Sequence, residues 1–323
     1  MMKPVFCIGD ICADLTIPYG AVMRAKRGLP IPAEETDVGF FHGGSGANTA
    51  SGLLRLEIPV IFCGTCGADA YGQALHDELL RLGADTSCFR FDASIPTLLI
   101  AIVIDENGER TAFATQHVKA SQHQILASQI PADFPEHISW LHCSGVLLRE
   151  DPAASVVLDA MKRCHDSGIP VSLDIMARIE SRDDPVYLKN LQTAYSYSSV
   201  LLGSITDEIP LLSGGTDDAS IQKLAKGGKI IVSHAGKKGA YVYTESETDY
   251  CPAFSVPVVD TIGAGDSYNA GFLYGLLHQM PLHEANRFAN GAAACCVSRA
   301  GGRSCPDLTE LKAFLAENNP EEF

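Results

Sequence analysis

The thirteen residues from Asp260 to Phe272, DTIGAGDSYNAGF, constrain this chain more than any other stretch of its 323 residues. They place two glycines and an aspartate where an apolar run, Phe254 to Val259, reads as a strand and a helical stripe (Tyr268, Phe272, Leu276) opens from Ala264. Gly263 and Gly265 then fall on the turn and the first helical residues, where backbone N–H groups have no intrahelical partner and the helix dipole favours negative charge. An oxyanion or phosphoryl group is stabilised in such a place. Glycine lets the backbone approach that group closely, and Asp266 brings a carboxylate within reach of a hydroxyl about to attack it. The same residues also admit a plain strand-to-helix turn with Asp266 as N-cap. No GKS or GKT follows a glycine-rich loop, so the chain carries no P-loop, and the absence of GxGxxG after the first strand argues against a dinucleotide-binding dehydrogenase.

Short β-type runs alternate with helical ones along most of the chain. Val5 to Ile8, Val60 to Cys63, Trp140 to Cys143, Val171 to Ile175, Val200 to Leu202 and Ile230 to Val232 read as strands. Ala47 to Leu56, Tyr71 to Leu82, Ala153 to Cys164, Leu188 to Tyr195 and Ile221 to Ala225 read as helices. Continuous apolar strands separated by helices indicate a parallel sheet covered on both faces, with ligands beyond the carboxyl ends of the strands. The length suits one sizeable α/β domain over residues 1–323. Two segments break the rhythm: Leu98 to Ala114 reads as a hairpin turning at Asn107 and Gly108, and Ile17 to Phe41 is rich in proline and glycine with weak strand character. Together they suit a small sheet outside the main one.

The net charge, 24 − 39 = −15, argues against nucleic acid or an anionic membrane as partner. ATP remains admissible, because local N–H groups, a few cations and Mg²⁺ neutralise phosphates where they bind. Eleven cysteines, an odd number scattered through strands and helices, together with a start lacking the pattern of a secretory signal, read as a cytoplasmic chain with free thiols. Cys63 and Cys66 form a CxxC without a second pair or a histidine cluster, which reads as two small residues at a strand end rather than a zinc or redox motif. No apolar segment approaches the ~20 residues that span a bilayer.

The Asp260–Phe272 string resembles the second signature of the PfkB carbohydrate kinases, the ribokinase-like family. The resemblance implies an α/β, ribokinase-like three-layer sandwich with a central, mostly parallel sheet and a small β-sheet lid, here approximately 15–42 and 94–117. It further implies that Gly263, Ala264 and Gly265 form an anion hole and that Asp266 deprotonates the acceptor hydroxyl. Gly43-Gly44-Ser45-Gly46-Ala47-Asn48 is similar to the family's first signature, in which the glycine pair contacts the sugar and the asparagine binds its hydroxyls; it stands directly before a helix whose N-terminus is expected to offer free N–H groups. Asp14 matches the family's aspartate that chelates two sugar hydroxyls. Cys12 and Ser45 depart from the asparagine and lysine that ribokinases often carry, which puts ribose itself in question.

Softer matches extend along the chain. Asp174 and Arg178 resemble a DxNxR pattern, and Arg178 suits a phosphate or substrate carboxylate as a bidentate donor or, equally, a surface salt bridge. SHAGKKG, Ser233 to Gly239, resembles the loop that borders the nucleotide, with Gly236 and Gly239 matching; Asn290 lies on the helix that flanks adenine in the family. Val297 to Ser304 resembles a loop that completes a monovalent-cation site, which implies K⁺ held by carbonyls of Asp260, Ile262, Cys296, Arg299 and Gly301 with the Ser304 hydroxyl. A glycine-rich helix exit is the other reading of that loop. The expected activity is ATP-dependent phosphorylation of a primary hydroxyl on a small sugar or sugar derivative, with ATP and Mg²⁺ as cofactors, K⁺ where the loop forms a cation site, and a homodimer formed through the lid. A nucleoside kinase of the same family and a non-catalytic sugar- or nucleotide-binding regulator stay open.

Overall fold

A computed structural model describes residues 2–18, 39–104, 110–114, 121–177 and 181–318. In chain order its strands are β1 (Val5–Ile8), β2 (Cys12–Pro18), β3 (Gly39–Gly43), β4 (Val60–Cys63), β5 (Thr65–Gly67), β6 (Arg90–Asp92), β7 (Leu99–Ile104), β8 (Arg110–Ala114), β9 (Trp140–Ser144), β10 (Val171–Asp174), β11 (Val200–Ser204), β12 (Ile230–His234), β13 (Ala240–Tyr243) and β14 (Thr248–Cys251). The longer helices are α1 (Ser45–Arg55), α2 (Ala70–Arg81), α3 (Ala153–Asp166), α4 (Pro185–Tyr197), α5 (Ala264–Leu277), α6 (Leu282–Val297) and α7 (Leu308–Glu317). Eight strands form the main sheet in the order β14-β13-β12-β11-β10-β9-β1-β4, parallel from β12 through β4 and antiparallel at the β13 and β14 edge.

Both faces of this sheet are buried. In β1, Val5 and Cys7 join one apolar core with α1, α5 and α6, while Phe6 and Ile8 join a second core with α3 and α4. Alternation of side chains across a pleated strand sends successive residues to opposite faces, which is why such strands are apolar throughout. Helix α5 is buried from Asp266 to Gly275, and its later glycines serve packing: a Cβ on Gly271 would lie 2.9 Å from Cα of Ala289 on α6. The strand order of the main sheet brings the carboxyl ends of β1, β10 and β12 to the same side as the start of α5, which is where the candidate site forms.

The two segments that break the rhythm do meet in one four-stranded sheet, ordered β3-β2-β7-β8. β2 runs antiparallel to β3 and parallel to β7, and β7 and β8 pair antiparallel as the hairpin expectation requires. The expected turn at Asn107 and Gly108, and residues 19–38 and 115–117 of the expected lid, lie outside the described residues.

One strand expectation fails. Phe254 to Val259 belongs to no sheet: Pro252 and Pro257 remove ladder donors, β14 already ends the sheet at Cys251, and the chain instead hangs on α6 through the Val259 and Asp260 N–H groups, which donate to the Val297 carbonyl at 2.8 and 3.1 Å. The strand–helix rhythm also does not announce β13 and β14, four residues each, on the antiparallel edge.

Candidate active site

Helix α5 starts at Ala264, with Gly263 as its N-cap at φ 78° and ψ 2°. A Cβ at Gly263 would lie 2.0 Å from the Gly302 carbonyl oxygen, so both the left-handed turn and the close approach of the C-terminal loop require glycine. The cap is therefore Gly263, and the plain reading of Asp266 as N-cap gives way. Asp266 stands in the first turn, 9% exposed, beside the N–H groups that begin the helix. Its two carboxylate oxygens are held by α1: the Ser45 hydroxyl donates to Oδ1 at 2.6 Å and the Asn48 amide donates to Oδ2 at 2.8 Å. The two glycine-rich motifs thus converge on one carboxylate.

The start of α1 is less open than its sequence predicts. Asp10, between β1 and β2, accepts the N–H groups of Ser45 and Gly46, each at 3.0 Å, so these first helical donors are satisfied within the protein. Asp14 lies inside β2, buried, with the Cys12 thiol donating to its Oδ1 at 3.4 Å. Gly43 makes room for it: a Cβ there would stand 2.3 Å from Asp14 Oδ2. Gly44, the N-cap of α1, turns at φ 94°. Behind Asn48 sits Arg303, which donates Nε to Asn48 Oδ1 at 3.3 Å and Nη2 to the Gly43 carbonyl at 3.0 Å, and forms a buried ion pair through Nη1 with Glu78 of α2. Asp174, at the end of β10, contacts Ser45 Oγ at 3.3 Å and accepts from Asn269 Nδ2 of α5 at 2.8 Å. Burial, with the charges of Glu208 and Asp266, pushes its carboxyl well above the usual carboxylate range.

On the other side of the α5 N-terminus opens a cleft of about 550 Å³. Gly236 and Asn290 line it together with Ala264, Phe254, Ser255, Val256 and Val258. Gly239 is not among its lining residues; at φ 101° it lets the backbone pass against Cys251 and Ala253. The half-buried His234 meets the edge of Tyr268 at 4.8 Å, and loss of hydration lowers its pKa to about 4, which leaves it neutral and unsuited to acid–base work at pH 7.

The expected cation segments lie side by side: the Asp260 carboxylate accepts the N–H groups of Ile262 at 2.7 Å and Gly301 at 3.0 Å. Cys296 Sγ reaches the Ile262 carbonyl at 3.6 Å, the Arg299 N–H donates to the Cys296 carbonyl at 3.0 Å, and the Ser304 hydroxyl donates to the Ala300 carbonyl at 2.6 Å. Arg178 lies outside the described residues. All eleven cysteines are free and buried, and in the CxxC burial pushes the Cys66 thiol up to about 12, the opposite of a reactive or metal-binding thiol. Among the described residues no helix is long and apolar enough to cross a membrane.

The sequence model of the pfkB family of carbohydrate kinases matches residues 2–309. This chain belongs to that family. It is 30% identical over 326 residues to "Probable fructokinase-7" of Arabidopsis thaliana, covering 97% of this chain and 92% of that protein. It is 27% identical to a 5-dehydro-2-deoxygluconokinase of Shouchella clausii, covering 98% and 96%. Among solved structures, the fructokinase of Xylella fastidiosa with bound ATP superposes with a TM-score of 0.84 at 23% identity, covering 98% of this chain and 99% of that one. The chain is a PfkB-type sugar kinase, a phosphotransferase with an alcohol group as acceptor, and its mixed α/β architecture with a large, mostly parallel sheet and a smaller second sheet is ribokinase-like.

Several residues of this PfkB kinase's candidate site have no role assigned from the sequence, although Asn269 lies inside the Asp260–Phe272 string and Arg303 inside the Val297–Ser304 loop. Asn269 stands three positions after Asp266, on the same side of α5, and that spacing is the one signal that could have found it. Arg303 and Glu78 carry no signal, because each reads as an ordinary surface charge until the fold buries both. Asp10 is visible only as one of two aspartates after β1.

Proposed function

We propose that this kinase transfers the γ-phosphoryl group of ATP to a primary hydroxyl of a small sugar or sugar derivative, with Asp266 as general base and the N–H groups from Gly263 to Asp266 as anion hole. The observation that carries the reading is the buried Asp266 carboxylate, gripped on both oxygens by α1, at the junction between the Asp14 side and the 550 Å³ cleft. The cleft suits a nucleotide: apolar walls for a purine, Asn290 for its edge, and the α5 N-terminus at the end where phosphates belong. ATP brings Mg²⁺ with it, which neutralises phosphate charge. Asp14, Gly43, Gly44 and Asn48 hold the acceptor. Arg178 serves any charged group on it, and Gly239 shapes the loop that Gly236 presents to the nucleotide. Exposed Phe40 and Phe113 support a lid role for the second sheet, over the acceptor or against a second subunit.

Catalysis is then mostly positioning and charge stabilisation. The acceptor oxygen attacks in line as Asp266 takes its proton, and the helix N-terminus meets the charge on the transferring group. A coupled ADP-release screen over ketohexoses, pentoses, keto sugar acids and nucleosides tests the reading; the names of the relatives support including the first and third classes. Turnover with none of them removes it.

The acceptor should carry two neighbouring hydroxyls besides its hydroxymethyl, because Asp14 accepts from a vicinal pair and Asn48 both donates and accepts. Deoxygenating either hydroxyl should lower kcat/KM about tenfold or more, since a buried carboxylate left short of a donor loses roughly 1 to 3 kcal/mol. Asp14→Ala should blunt that discrimination. Parent and deoxy sugars of equal kcat/KM with the unmodified enzyme would take this role from Asp14.

A large monovalent cation fits the carbonyl-rich pair of loops around Asp260, Ile262, Cys296, Arg299, Gly301 and Ser304, and its chemistry is to fix the anion-hole backbone at a distance. At constant ionic strength, turnover in K⁺ should exceed turnover in Na⁺. Equal rates in K⁺, Na⁺ and a bulky organic cation would count against it.

A further inference from the structure

Asp174 takes no part in the transfer outlined above, yet it is buried within a hydrogen bond of the groups that hold the base. Its Oδ2 meets Asn269 Nδ2 at 2.8 Å and Ser45 Oγ at 3.3 Å. Ser45 Oγ in turn lies 2.6 Å from Asp266 Oδ1. A serine hydroxyl has one hydrogen to donate. The shorter contact takes it, because an ionised Asp266 makes that bond charge-assisted. Between Ser45 Oγ and Asp174 Oδ2 there remain two oxygens facing each other with lone pairs, unless Asp174 itself supplies a hydrogen.

The surroundings favour that hydrogen. Glu208 from the segment after β11, Asp266 from α5 and Asp10 from the end of β1 all disfavour a negative charge on Asp174, and the Tyr187 phenol of α4 also faces it. Among the described residues no lysine, arginine or histidine forms an ion pair with Asp174.

We propose that Asp174 is a positioning residue which, as a neutral acid, donates its hydrogen to Ser45 Oγ and so commits the Ser45 hydroxyl hydrogen to Asp266 Oδ1. The inference rests on Asp266 being the base. The chain from Asp174 through Ser45 fixes the orientation of the Asp266 carboxylate and favours its ionised form, while Asn269 keeps Asp174 in place. A serine where ribokinases often carry lysine thus has a task of its own: a hydroxyl both accepts from one acid and donates to the other, which an ammonium group cannot do.

Three readouts test this. Infrared spectra of the full chain at neutral pH should contain a protonated-carboxyl C=O band that Asp174→Asn removes; spectra without such a band overturn the proposal. This readout is independent of turnover, so it separates the proposal from the assignment of Asp266, which fails on its own if Asp266→Asn keeps its activity. In kcat against pH, Asp174→Asn should leave the acidic limb where it is, because no charge has been removed; a move to lower pH would mean that a negative charge had stood beside Asp266 and would overturn the proposal. Ser45→Ala should lower kcat by about tenfold or more and move the acidic limb to higher pH, since the ionised base loses a charge-assisted donor; an unmoved limb overturns it. Asp174→Asn should also exceed Asp174→Ala in kcat about tenfold, the amide replacing the donor that alanine lacks. Equal kcat in those two overturns the donor role, and if Asp174→Ala does not fold, the limbs of Asp174→Asn and Ser45→Ala decide.

Discussion

Asp266→Asn is expected to lower kcat by about a hundredfold or more while KM for sugar and ATP stays within a few fold, because general-base catalysis is typically worth ~10² to 10⁴. The substitution is suited to the site. Asparagine keeps an amide oxygen for the Asn48 donor, and the Ser45 hydroxyl can turn to accept from the new NH₂, so both grips of α1 on this position survive. What disappears is the capacity to take the acceptor's proton. Steady-state kinetics with a thermal melt as control provide the measurement, and a variant retaining half of the wild-type kcat would take Asp266 out of the mechanism.

Arg303→Met should be the most destabilising of the substitutions considered, by about 3 to 5 kcal/mol, because removing one member of a buried ion pair leaves the other charge uncompensated. The Arg303 side chain is 5% exposed and that of Glu78 is 11% exposed, with His42 Nδ1 a further 3.4 Å from the same Glu78 oxygen. Adding Glu78→Gln to Arg303→Met should recover much of the loss, measured by urea unfolding. Activity should not recover with it. Arg303 Nε is what fixes the Asn48 amide with its oxygen inward and its NH₂ toward Asp266, and the double variant still lacks that donor. A single variant unfolding within about 1 kcal/mol of wild type would mean that the pair is not buried in solution as described.

The local geometry of the candidate site was more legible in the sequence than its support. The start of α5 at Ala264 followed from the two glycines and the apolar stripe, because a helix N-terminus is a local event decided by a few neighbouring residues. The run before it misled. Phe254 to Val259 is apolar enough for a strand, but a strand exists only with a partner, and the sheet had already ended at Cys251. Nothing local shows that Asp14 lies within a strand of the second sheet, because β2 pairs with β7 at Asp14 and Ile100, 100 − 14 = 86 positions apart. The grip on Asp266 was out of reach for the same reason: Ser45 and Asn48 are 221 and 218 positions away, and Arg303 is 255 positions from Asn48. Side chains that act through neighbours brought together only by the finished fold leave no mark on local sequence.

Those separations also bear on how the protein is made. During synthesis β1, Asp14 and α1 leave the ribosome before α5, and the parallel strands through β12 can begin to collect around them, yet the carboxylate that α1 grips arrives only when α5 emerges. Arg303, which orients Asn48, arrives later still, after α6. A nascent or truncated chain ending before residue 260 therefore owns most of a sheet and lacks the proposed base. With Asp266 as the proposed base, a fragment released before α5 should be catalytically silent.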